Sequence, residues 1–225
     1  MFTRLIFILC VAQFMATATW AGPWLREKGN AFASFSFSAS ADLDAHSTGY
    51  FEFGITPTST IGLDLGFSRK HTGAKLGYGT LFLRRAFGPS DASNKYAYEI
   101  GVGGTYGGPK RDMIPHVKTG LSWGRGVQFR GKSGWATIDS GILWNLNDYN
   151  HVTKIDTTLG LNFSDFITGI VQLNLANQAD ETFGFFEPSV VFSPKNMDLK
   201  IQLGLVTPLE SIKKTSLKLG FWHEF

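Results

Sequence analysis

The chain has a single cysteine, Cys10, and it falls in a segment expected to be removed on export. The mature chain then has no disulfide framework, no thiol nucleophile and no Cys-based metal site. A lipoprotein attachment at Phe7, Ile8, Leu9, Cys10 is excluded, since the site comes too early and Leu9 is bulky where a small residue is needed. Long apolar runs are missing too. The stretch Leu5 to Met15 is well short of the roughly 20 apolar residues a spanning helix requires, and nothing after it comes closer. The net charge of +3 and the lack of any basic run exclude nucleic acid as a partner. The five histidines are scattered without metal-ligand spacing, and the sequence calls for no cofactor.

What is present at the N-terminus is an export signal. Met1 to Arg4 forms a basic start, Leu5 to Met15 an apolar stretch, and Thr19, Trp20, Ala21 a cleavage site with small residues at its outer positions. Cleavage is expected after Ala21, making 1–21 the signal peptide, 22–30 a leader and 31–225 one further domain. The domain is rich in glycine, at 26 residues, and in aromatics, at 14% of the chain, which suits many short strands better than helices.

From about Asn30 the chain alternates apolar and polar residues in segments of about ten, separated by Gly, Pro, Asn, Asp and Ser. In one, Leu199, Ile201, Leu203 and Leu205 alternate with Asp198, Lys200, Gln202 and Gly204. In another, Ile155, Thr157, Leu159 and Leu161 alternate with Lys154, Asp156, Thr158 and Gly160. About twelve such segments are expected, with ten as the alternative if the fourth (75–87, with Arg84 and Arg85 adjacent) or the sixth (116–127) fails. The links between them are short, those after odd-numbered segments slightly longer, and no segment reads as a plug.

Period two alone does not separate a soluble barrel from one in a membrane. The polar faces do, because a small soluble core must be filled with bulky apolar side chains. Here they carry Glu52, Asp64, Glu99, Lys118, Asp139, Lys154, Asp156, Glu187, Lys200 and Lys218, with Gly62, Gly101, Gly160, Gly204 and Gly220 between them. Opposite charges mixed with glycine suit a tapered, wet lumen, and these ten charged residues are the candidate lumen-lining positions. Tyr96, Trp123, Trp135, Trp144, Phe163 and Phe192 fall near segment ends, where rings would mark the headgroup level.

The last segment runs Lys218, Leu219, Gly220, Phe221, Trp222, His223, Glu224, Phe225. It resembles the C-terminal signature of bacterial outer-membrane β-barrel proteins: polar, any, Gly, any, any, hydrophobic, any, aromatic. His223 departs from the pattern, where a hydrophobic residue or Tyr is commoner. The resemblance implies an all-β fold, a single transmembrane antiparallel up-and-down β-barrel in a Gram-negative outer membrane, with both ends and the leader 22–30 on the periplasmic side. It also implies recognition by the barrel-assembly machinery through Gly220, Phe221 and Phe225, and outer-membrane lipid as surroundings.

Catalysis finds little support. His46 and Ser47 are neighbours on one segment and so point to opposite faces, which prevents the histidine from serving that serine. Gly101, Gly103, Gly104, Gly107 and Gly108 have no helix after them to make a phosphate cradle, and fit a bend in a barrel wall. The expectation is a non-enzymatic, narrow, passive channel for small solutes. The alternatives are a structural barrel with a filled lumen and, behind it, a lipid-modifying enzyme.

Overall fold

The computed structural model describes residues 22–107, 112–147, 150–178, 181–195 and 197–225. Twelve strands follow one another: β1 (Ala31–Ser40), β2 (Ala45–Thr56), β3 (Ser59–Arg69), β4 (Lys75–Phe87), β5 (Asn94–Gly107), β6 (Asp112–Phe129), β7 (Lys132–Asn145), β8 (His151–Asn162), β9 (Ile167–Gln178), β10 (Glu181–Phe192), β11 (Leu199–Pro208) and β12 (Ser216–Glu224). Each pairs antiparallel with its sequence neighbours, and β1 pairs with β12 from Phe32↔Glu224 to Ser40↔Ser216, so the sheet is a closed up-and-down barrel. The terminal residue completes the closure: Ala31 N donates to Phe225 O at 2.6 Å and Phe225 N donates to Ala31 O at 3.1 Å. No open edge is left, which is what a sheet needs in a medium that cannot hydrogen-bond it.

Both doubtful segments are strands, and the count is twelve rather than ten. The largest differences from the sequence reading are strand extensions at the end opposite the termini. β2 starts at Ala45, and β6 runs 18 residues from Asp112 to Phe129. The β1–β2 link shrinks accordingly to 41–44, the β3–β4 link keeps its expected span 70–74, and both fall within the range of lengths of the links at the terminal end. At the terminal end the β2–β3 and β6–β7 links are two residues each, and in the latter Arg130 and Gly131 both take positive φ, 49° and 75°. That pair of left-handed residues twists the turn in the sense the strands require.

The two faces of the wall are inverted relative to a water-soluble barrel. Outward residues are apolar and bare: Val102 is 59% exposed, Leu121 58% and Leu217 73%. Inward residues are polar and covered: Glu52 is 1% exposed, Thr80 2% and Gln202 3%. A hydrocarbon surround makes both favourable at once, so this is a membrane-spanning barrel. Among the described residues, no helix is long and apolar enough to cross a membrane. Tyr96, Trp144 and Phe163 are exposed on the outer surface, and Phe192 packs on Phe166 there. Trp135 corrects the expectation of a ring at the headgroup level. It is 5% exposed and points into the barrel, against Ile170 and Val191.

Candidate functional site

The leader gives the site its shape. Residues 22–30 turn into the mouth of the barrel at the end where the termini meet, although the sequence offered no segment for the lumen. Lys28 bridges Gly54 in parallel; Gly29 N donates to Gly54 O at 2.9 Å and Gly54 N to Asn30 O at 3.0 Å. A methyl group on Gly54 would lie 2.1 Å from Glu27 O, so the strap lies directly on the bare backbone of β2. Trp24 packs against the inward cluster of Trp135, Ile170 and Val191, together with Trp222. This mouth is thus narrowed by a small apolar core inside a barrel whose lumen carries mostly polar side chains.

Above that core lies a layer of ion pairs. Arg26 Nε is 2.9 Å from Glu52 Oε2, and Arg84 Nη1 is 2.6 Å from Glu52 Oε1. Arg84 Nη2 lies 2.7 Å from Glu99 Oε2, and Lys118 Nζ is 2.6 Å from Glu99 Oε1. Tyr50 donates its hydroxyl to Glu52 Oε1 at 2.7 Å, and Arg84 Nη1 also donates to Gly22 O at 3.1 Å. The result is a zigzag of alternating charge that ties the leader to β2, β4, β5 and β6. With Glu52 and Glu99 nearly covered, each charge depends on its neighbours for the solvation it has lost.

Next to this layer is a cavity of about 160 Å³, lined among others by Asp64, Tyr78, Lys118, Asp139, Lys154 and Asp156. Its charged lining is four carboxylates (Asp64, Glu99, Asp139 and Asp156) against three cations (Arg84, Lys118 and Lys154). Tyr78 donates to Asp64 Oδ1 at 3.1 Å, and Lys154 Nζ lies 5.4 Å from the centre of the Tyr78 ring. Such a chamber can hold a small hydrated ion or polar solute between opposite charges.

Of the ten lumen-lining candidates, Glu52, Glu99 and Lys118 form the ion layer, while Asp64, Asp139, Lys154 and Asp156 line the cavity with Glu99 and Lys118. The other three belong to separate pairs on the opposite wall: Lys218 with Glu187 at 2.7 Å and Lys200 with Glu224 at 3.0 Å. Gly220 faces inward against Gln202, while Phe221 and Phe225 continue the outer row of β12 and the His223 ring lies tilted against Phe225, centres 4.6 Å apart. His46 engages Ser68 Oγ on β3 at 2.7 Å, across the strand pair from it. Of the glycine-rich stretch, Gly103 leaves room for His116, whose Nε2 lies 2.8 Å from Thr80 Oγ1, and Gly108 lies outside the described residues.

Arg84, the hub, is not among the lumen-lining candidates of the sequence, where it stands only as an obstacle to the fourth strand. The alternation carries the signal, since Thr80, Phe82 and Arg84 alternate with Leu81 and Leu83, which are exposed on the lipid side. Arg26 and Trp24 had no comparable signal, because the leader has no strand period.

No protein-family model and no curated protein matches the chain. Solved structures do share its fold. A KdgM porin superposes with a TM-score of 0.57 at 8% identity, covering 86% of this chain and 99% of that one. A KdgM porin in complex with disordered oligogalacturonate gives 0.55 at 8% identity, over 87% and 99%. An outer membrane channel from Pseudomonas putida F1 gives 0.56 at 10% identity, over 92% and 100%. The chain therefore has the fold of outer-membrane porins and channels.

Proposed function

We propose that the protein is a narrow channel for small polar solutes in a Gram-negative-type outer membrane. On this reading it is exported with cleavage after Ala21, and the barrel-assembly machinery recognises the segment ending in Phe225. The observation that carries the channel reading is the charged chamber inside a closed, lipid-facing wall. Water and small ions are the natural occupants of a cavity lined by Asp64, Lys118, Asp139, Lys154 and Asp156. The porins and the channel that share the fold add support.

The test is conductance of the purified, exported protein in planar bilayers. Discrete steps are expected, small in the native protein and larger after deletion of residues 22–27, since the leader occupies one mouth. A second reading, a structural barrel with a filled lumen, is favoured by the apolar cluster around Trp24. It requires a folded barrel that stays silent with and without the leader, and that result would overturn the channel.

A further inference from the structure

Asp139 is one of three chamber carboxylates, with Asp64 and Asp156, that the ion layer leaves out. Its Oδ1 is buried and has no hydrogen-bond partner among the described residues. Its direct cross-strand neighbour on β8 is Asp156, also inward-facing, and neither forms an ion pair with a described residue. Two like charges opposite one another repel, and the chamber's other cation, Lys154, rests over the Tyr78 ring, so this pair of carboxylates has room for a further positive charge. Arg84 and Lys118 are held by Glu52 and Glu99.

What lies against Asp139 is the backbone of Gly22. A methyl group added there would sit 3.2 Å from Asp139 Oδ2 and 3.4 Å from Oδ1, and 3.1 Å from Thr137 Cγ2. Gly22 has φ +87°, a conformation side chains rarely adopt, and its carbonyl is fixed from the other side by Arg84. Glycine thus suits this spot through its backbone conformation, and the space above it is tight. Gly22 is also the residue at which the small-residue site Thr19, Trp20, Ala21 would make the new chain end.

We propose that Asp139, backed by Asp156, is a binding site for a primary ammonium group, and that its ligand is the α-amino group of Gly22 released by cleavage of the Ala21–Gly22 bond. Hydrolysis of that bond adds water across it, giving the signal peptide a carboxylate and Gly22 an ammonium. The processing step thereby creates that positive charge inside the barrel mouth and fastens the leader by its tip, while Trp24 and Arg26 hold its body. The inference rests on the export cleavage proposed above, and not on the barrel conducting.

The test is the reactivity of the N-terminus in protein purified from outer membranes after export. An amine-directed acylating reagent is used at about pH 7, where a free α-amino group reacts and lysines are protonated. Mass spectrometry of the N-terminal peptide should find Gly22 first and acylated at least about tenfold more slowly than in Asp139→Asn or in the free peptide GPWLREK. Should Asp139→Asn fail to fold, insertion of one Ala between Ala21 and Gly22 does the same work. It leaves the barrel untouched and displaces the ammonium by up to about 3.8 Å, so labelling should become fast. Equally fast labelling of all three proteins would mean that the carboxylates take a cation from solution, and would overturn the proposal, as would a mature chain beginning elsewhere. Conductance of the same samples separates this from the channel reading: a silent barrel with a protected Gly22 removes the channel and leaves the docking intact.

Discussion

At Arg84 one guanidinium holds two nearly covered carboxylates, Glu52 and Glu99, and the carbonyl of Gly22. Replacing it with Met keeps the bulk and leaves both carboxylates short of a cation. Loss of one partner from a buried pair costs about 3–5 kcal/mol, so Arg84→Met should lower the urea midpoint of the barrel in lipid vesicles clearly. The double change Arg84→Met, Glu52→Gln should cost less than the two single changes added together, because they remove parts of one network. At the far rim, Asp44 accepts from His71 N at 2.8 Å and from Lys70 Nζ at 3.2 Å, pinning the β1–β2 link to the β3–β4 link. The backbone hydrogen bond from His71, then its side chain and Lys70, hold the Asp44 carboxyl well below the usual carboxylate range. A depressed folded value means the contact contributes fully above the ordinary aspartate value of about 3.9 and is lost as pH falls through the lower, folded one. Amide protection in these two links, measured against the exchange of an unstructured peptide at the same pH, should therefore hold at neutral pH and fall on strong acidification. In Asp44→Asn the acid dependence should vanish.

At the scale of elements, alternation made the wall legible: β4, β5 and β7 lie within a residue or two of their expected spans at each end, Glu52 and Glu99 are buried, and Asp64, Lys118, Asp139, Lys154 and Asp156 line the chamber. What alternation could not convey is that glycine on the inward face marks a filled place as well as an open one. Gly62 and Gly160 stand opposite Phe82 and Trp135 on the neighbouring strands, and a methyl group on either would come within 2.2 and 2.3 Å of the ring. The glycines are the floor on which these rings lie, a packing that period two does not encode because the partner is on another strand. Gly160→Ala should accordingly destabilise the barrel by about 1–3 kcal/mol, read as a lower thermal transition in detergent. The cost should shrink in a Trp135→Leu background, where the ring has been removed. The leader was illegible for a different reason. It is held by one tryptophan in a pocket built from β7, β9, β10 and β12, by Arg26 on Glu52, and by backbone bonds to Gly54, and none of these leaves a repeat in the sequence.

For the whole molecule, the wall separates two solvents a single side chain apart, so adjacent residues on one strand should respond to mutation in different observables. Lys154 and Ile155 lie side by side near the middle of β8: Lys154 lines the chamber, and Ile155 is 42% exposed on the outer face. An arginine at Ile155 would have to be placed in hydrocarbon, at about 2–4 kcal/mol near the midplane of the bilayer. Ile155→Arg should therefore fold poorly in lipid vesicles, while the molecules that do fold keep their ion preference. Lys154→Gln removes a charge that is in contact with water, not lipid, and its ammonium rests over a tyrosine ring instead of completing a buried pair. Folding should change little. The chamber, with four carboxylates against three cations in the native wall, becomes four against two, and the field that an entering ion meets turns more negative. In a leader-deleted background under a salt gradient, the reversal potential of Lys154→Gln should move toward that of a cation-selective pore. An unchanged potential in a conducting barrel would mean that ions do not pass this chamber.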